Sequence, residues 1–265
     1  MTGNLSLERG LSVLRVLRDV QDALGVRELS RRLDLSAPAI QRILNTLAEH
    51  GYVEQESVSR RYRLGPSLLS LARHMLREDR LISAAQPELD GLAAEGCFNA
   101  FLGIRRRDQG IYLLAVQSKS PVVIRSSPGE TFPLHSTALG KALLMGLSRA
   151  ETIEILGEGP FKKLTPRTVT DPSKLVGQIQ ASAAIGFATS LDENFVGLIA
   201  VGAPILEPRG TICAAISVAY PRSVGPQVEI ARIGEQITVA AKRISSSLGY
   251  RDNNEPQGED PRNAA

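Results

Sequence analysis

Two groups of side chains stand at spacings that invite chemistry. Gln41, Arg42 and Asn45 lie close together in the first third of the chain, and side chains of these types match the donor and acceptor edges of bases. The second group falls in Pro133-Leu134-His135-Ser136-Thr137-Ala138-Leu139-Gly140-Lys141-Ala142, where His135, Ser136 and Lys141 could support nucleophilic catalysis, with Asp192 or Glu193 assisting a base. That enzymatic reading stands second, because no nucleophile elbow or metal motif accompanies the cluster. Gly140-Lys141 lacks the preceding glycine of a phosphate loop, so nucleotide hydrolysis is disfavoured. Cys97 and Cys213 sit in apolar runs without a second thiol or a histidine at ligand spacing; they read as small core residues, and neither metal nor cofactor is expected.

The elements that must position the first group are legible. Leu7, Leu11, Leu14 and Leu17 recur at helical spacing, so residues 6–20 read as an amphipathic helix capped by Ser6. A short helix follows from Val26 to about Asp34. Ser36 then caps a third helix, whose first turn accepts Pro38 because the missing N–H has no partner there. Ile40, Ile43, Leu44 and Leu47 form its inner stripe, which turns Pro38, Gln41, Arg42 and Asn45 outward. Gly51 stops this helix, and Tyr52–Gln55 and Arg61–Leu64 read as a hairpin bearing Arg60, Arg61 and Arg63. Helix, helix, tight turn, helix and a hairpin with arginines is the order of a DNA-reading winged helix-turn-helix. Charge agrees: residues 1–80 hold 13 arginines, no lysine and 10 acidic residues, which accounts for the whole net charge of +3.

Leu68, Leu69, Ala72, Met75 and Leu76 stripe a helix after Pro66, and a further helical run covers Leu81 to Ala94. The boundary is expected near Arg77–Arg80. Beyond it, strands are expected at Cys97–Gly103, Ile111–Val116 and Val122–Arg125, with Arg105, Arg106 and Arg107 read as a solvated hairpin tip in preference to a second nucleic-acid patch. Helices at 137–146, 149–156 and 172–185, strands at 198–204 and 212–219, and a last helix with Ile230, Ile233, Ile237 and Ile244 complete a layered α+β domain. Ser136 or Thr137 can cap the helix starting there, leaving first-turn amides for a carboxylate; a plain capped core helix is the alternative. Residues 251–265 have the composition of a disordered tail. No run is long and apolar enough for a membrane helix and the N-terminus lacks a signal pattern, so a cytoplasmic protein is expected.

The run Gly25-Val26-Arg27-Glu28-Leu29-Ser30-Arg31-Arg32-Leu33, then Arg42-Ile43-Leu44-Asn45-Thr46-Leu47, Gly51-Tyr52-Val53 and Tyr62-Arg63-Leu64-Gly65, resembles the DNA-binding domain of the IclR-type bacterial regulators. The stretch from Pro133 to Ala142 and the late strand Ala214-Ala215-Ile216-Ser217-Val218 resemble their ligand-binding domain. The resemblance implies a winged helix-turn-helix over 1–65, a linker helix over 66–80 that helps pair two wings, and a GAF-like α/β effector domain over 81–250. It also implies a homodimer or homotetramer on a palindromic double-stranded operator, with a small organic effector. Ser36, Pro38, Gln41, Arg42, Asn45, Arg60, Arg61 and Arg63 are the expected DNA contacts. Carried over by position, effector contacts fall on Ala138, Leu139, Ser190, Ala200 and Ser217. Ala200 replaces a polar or thiol side chain of some relatives, Ser190 an acidic one, and Ala219 a second hydroxyl. The expected ligand is therefore a carboxylate or aromatic acid with more apolar surface than the smallest keto acids. An interaction module with an empty pocket is a third reading.

Overall fold

The computed structural model describes residues 4–96, 98–117, 124–223, 225 and 228–251. Cys97, Val122, Val123 and all but Arg251 of the tail expected over 251–265 lie outside the described residues, as do the side chains of Met75 and Leu76. The chain divides into two compact units, Met1–Asp79 and Arg80–Ala265.

In the first unit, α1 (Leu5–Arg18) starts one residue before the leucine spacing predicts. Asn4, not Ser6, is its cap: the Asn4 side chain accepts the amides of Ser6 and Leu7 at 3.1 and 3.2 Å. α2 (Val26–Leu33) ends at Asp34, whose left-handed backbone (φ 51°) turns the chain sharply. α3 (Ala37–Glu49) follows. Ser36 stands at its cap position but makes no side-chain capping bond; its carbonyl takes the amides of Ala39 and Ile40 instead. The hairpin of β1 (Val53–Gln55) and β2 (Tyr62–Leu64) pairs Val53 with Leu64 and Gln55 with Tyr62. Leu24 bridges to Tyr62 and ties this hairpin to the segment before α2. Val13, Leu17, Leu29, Ile40, Leu44, Val53 and Tyr62 are buried together, each aliphatic side chain contributing about 1.5–3 kcal/mol of burial free energy. α4 (Ser67–Glu78) closes the unit. With α1 and α3 it bounds an apolar groove of about 860 Å³, around which Leu7 and Leu71 stay more than half exposed.

The second unit opens with α5 (Arg80–Gly96). Its six-stranded antiparallel sheet comprises β3 (Asn99–Arg106), β4 (Gln109–Val116), β5 (Thr131–Pro133), β6 (Ala188–Leu191), β7 (Leu198–Leu206) and β8 (Ile212–Pro221), in the order β5-β4-β3-β8-β7-β6. Three expectations change here. Ile124 and Arg125 are not in a strand; the third strand is β5, which pairs Phe132 with Gly110. The fourth, β6, was not expected at all. Arg105 and Arg106 also belong to β3, so the hairpin tip is only Arg107-Asp108.

β8 is buried without interruption from Ala214 to Tyr220, which requires cover on both faces. α6 (Ala138–Leu144) covers the face carrying Ser217 and Ala219, backed by α8 (Pro172–Ile185); α7 (Arg149–Leu156) packs on α8. α9 (Ile230–Ser247) lies against β7 and α5, and buries the expected Ile233, Ile237 and Ile244. Gly202 of β7 allows the close approach of α6: a Cβ there would stand 2.8 Å from the carbonyl oxygen of Ala138.

Candidate functional site

Residues singled out in the first unit divide by what already holds them. On α3, Pro38, Arg42 and Asn45 are exposed, whereas Gln41 is half-buried. The Gln41 amide nitrogen donates to Asn45 Oδ1 at 2.8 Å and to the hydroxyl of Tyr62 at 2.9 Å, so helix and hairpin share one hydrogen-bond chain. Ser36 is exposed just before the helix. In the hairpin, Arg60 sits in the left-handed region (φ 57°) at the turn and Arg61 beside it, both exposed. Arg63 is held by Glu54 across the strands at 3.1 Å, and Arg31 and Arg32 share Glu28. Among the described residues Arg42, Arg60 and Arg61 have no acidic partner, and this leaves three exposed guanidinium groups for phosphates or base edges.

In the second unit a cavity of about 400 Å³ opens between the sheet and the start of α6. Ala138, Leu139, Ser190, Ala200 and Ser217, drawn from α6, β6, β7 and β8, all line it. Sheet register explains the convergence, because Ser190 pairs with Ala200, Ala200 with Ala219, and Gly202 with Ser217, which sets their side chains on one face. Ser190 is buried and its hydroxyl donates to the carbonyl of Ser136 at 2.7 Å. Ser217 is 4% exposed and lines the cavity, and no hydrogen bond holds its hydroxyl among the described residues. Ala219 faces the same space with a methyl group. The wall on the β3–β5 side is aromatic: Phe101 and Tyr112 are 5.4 Å apart between ring centroids, Tyr112 and Phe132 4.5 Å. The sequence pattern did not single out this wall, nor Arg125, Asn194 and Phe195 at the same cavity, since no local period joins residues so far apart.

The candidate catalytic cluster is dispersed into structural bonds. Thr137, not Ser136, caps α6, accepting the amide of Gly140 at 3.0 Å. Ser136 donates to Asn194 Oδ1, and His135 Nε2 pairs with the carbonyl of Lys162 at 3.0 Å. Burial holds the His135 imidazole below its ordinary value of 6.5. Lys141, 2% exposed, gives its ammonium to both Glu193 oxygens at 2.6 and 2.7 Å, to Gln178 and to the carbonyl of Thr189. Burial draws its pKa down while Glu193 opposes the shift. Asp192 is kept well ionised by the Arg222 guanidinium at 2.7 Å and by the amide of Gly197. Cys213 is half-buried, with its thiol 3.6 Å from the carbonyl of Ile205. Among the described residues no His, Cys, Asp and Glu gather as a metal site, and no helix is long and apolar enough to cross a membrane.

Two family models match the chain. Residues 6–57 match the IclR helix-turn-helix domain, and residues 73–246 match the bacterial transcriptional regulator IclR C-terminal domain. The chain is 27% identical over 245 residues to the HTH-type transcriptional regulator XynR of Escherichia coli K12, covering 92% of this chain and 97% of that protein. It is 29% identical over 247 residues to KdgR of Dickeya chrysanthemi, covering 93% and 81%. The crystal structure of an IclR transcriptional regulator from Alicyclobacillus acidocaldarius superposes with a TM-score of 0.83 at 27% identity, over 94% of this chain and all of that one. These relatives are regulators rather than enzymes, and the C-terminal match alone spans more than half of the sequence. The chain therefore belongs to the IclR family of bacterial transcriptional regulators, with an N-terminal helix-turn-helix DNA-binding domain and a C-terminal IclR domain.

Proposed function

We propose that the protein is an effector-controlled regulator in which residues 1–65 read a palindromic operator, 66–80 link the domains and 81–250 bind a small organic acid. The observation that carries this reading is the convergence of Ala138, Leu139, Ser190, Ala200 and Ser217 on one cavity. Four elements from distant parts of the sequence supply them, and among the described residues no group holds the hydroxyl of Ser217. Methyl groups at Ala200 and Ala219 and three aromatic rings favour a ligand with apolar or aromatic surface. An IclR homolog from Microbacterium hydrocarbonoxydans, of similar fold, was solved in complex with 4-hydroxybenzoate. Support for DNA contact comes from the exposed Ser36, Pro38, Arg42 and Asn45 on and before α3 and from the unpaired wing arginines. Gln41 and Arg63 join them from bonded positions.

A second copy of the chain would cover the apolar groove along α1 and α4 and supply the second half-site reader, in a cytoplasmic homodimer or homotetramer. Effector binding would then act by favouring one arrangement of the domains over another, which requires different contacts in the two states.

A thermal-shift screen of small carboxylates and aromatic acids, repeated with promoter DNA, tests the reading. Ser217→Leu should fill the cavity and abolish the response to any acid that scores, while DNA binding is retained. A normal response in that variant rejects the cavity assignment. Arg42→Ala should cost about 1–3 kcal/mol on operator DNA alone if the guanidinium reads a base. Equal loss on operator and scrambled duplexes makes it a phosphate contact instead.

A further inference from the structure

We infer that Arg125 is the anion anchor of the C-terminal cavity, orienting a planar monoacid with its carboxylate at the rim and its ring against Phe101, Tyr112 and Phe132. The inference rests on the reading of this cavity as the effector site. Among the described residues that line it, Arg125 and Glu130 are the only charged groups. No ion pair joins them: Arg125 has no hydrogen-bond or acidic partner among the described residues, and Glu130 accepts the amide of Ser127 at 2.9 Å. The guanidinium is thus available, and its planar fork matches a carboxylate in two parallel hydrogen bonds.

Its position is built rather than accidental. The amide of Ile124 donates to the side-chain oxygen of Asn99 at 3.2 Å; Asn99 is fully buried and donates in turn to the carbonyl of Ala219 at 3.3 Å. On the other side, Ser126 is hydrogen-bonded to the Tyr112 hydroxyl. Arg125 therefore stands between two anchored neighbours, at a cavity that Phe101, Tyr112, Phe132 and Ser217 also line. A flat ring laid on that wall gains offset aromatic contact, and its acid group is then within the neighbourhood of the one cation. Glu130 on the same rim acts as the selective element: it repels a second carboxylate, so monoacids are favoured over diacids.

Calorimetric titration of the full-length protein tests this with benzoate, 4-hydroxybenzoate and 3-phenylpropanoate, each beside its carboxamide. At least one acid should bind, and should exceed its amide by on the order of tenfold or more. Arg125→Gln, an exposed change that leaves the fold intact, should bring that ratio close to one without weakening the amide, and Arg125→Lys should restore part of it. Ser217→Leu should remove both ligands. If the acid preference survives in Arg125→Gln while Ser217→Leu still blocks binding, the anchor is wrong and the cavity reading stands. If Ser217→Leu leaves acid binding unchanged, the cavity reading fails with it. Failure of every acid in the panel to bind overturns the ligand class.

Discussion

Lys141 shows how residue type and residue role part company. Its neighbours in sequence suggest chemistry, yet its partner Glu193 stands 52 positions away and turns the ammonium into an internal brace. Removing one member leaves an uncompensated buried charge, so Lys141→Met should destabilise the C-terminal unit by about 3–5 kcal/mol in urea unfolding. The double variant Lys141→Met with Glu193→Leu should recover most of that loss, an outcome that a catalytic lysine would not give. His135 makes a second prediction at this scale. Its folded pKa lies below 6.5, so the unfolded chain binds its proton more readily; the stability it contributes is complete above that value and declines as pH falls below it. Unfolding midpoints between pH 8 and pH 5 should therefore fall less steeply in His135→Gln than in the parent protein. The five carried-over cavity positions were legible only through the family pattern, while Arg125 and the aromatic wall were not, because only the antiparallel register brings Phe101, Tyr112 and Phe132 together.

At the scale of elements, legibility followed the strength of the period. The first three helices, α1 to α3, were placed to within two residues because each carries an apolar stripe over two turns or more. β6 escaped notice since four residues are too few to display an alternation, and it starts only two residues after the Gly186 cap of α8. Residues 122–125 have strand composition, but the β4 edge is taken by Thr131–Pro133, where Phe132 packs over Gly103 and Gly110, two positions that have no room for a Cβ. The seat of α6 is comparably tight. Gly202→Ala would press a methyl group on the Ala138 carbonyl, a backbone group that cannot rotate away. The expected cost is about 1–3 kcal/mol in thermal or urea unfolding, with weaker binding of any acid that occupies the cavity. An unchanged melting curve would mean that α6 can slide on the sheet.

For the whole molecule, two compact units imply two partly separate stabilities. A saturating acid bound in the C-terminal cavity should raise chiefly the transition of the Arg80–Ala265 unit in scanning calorimetry, whereas duplex DNA should raise chiefly that of Met1–Asp79. One detail of the first unit reaches further. Because both amide hydrogens of Gln41 are already committed to Asn45 and Tyr62, the oxygen is the atom that this side chain can still offer outward. An exocyclic amine, as on adenine or cytosine, would satisfy that oxygen; the carbonyl lips of guanine or thymine would repel it. Were Gln41 to meet a base edge, the buried tyrosine of the hairpin would through that bond set which letter it accepts.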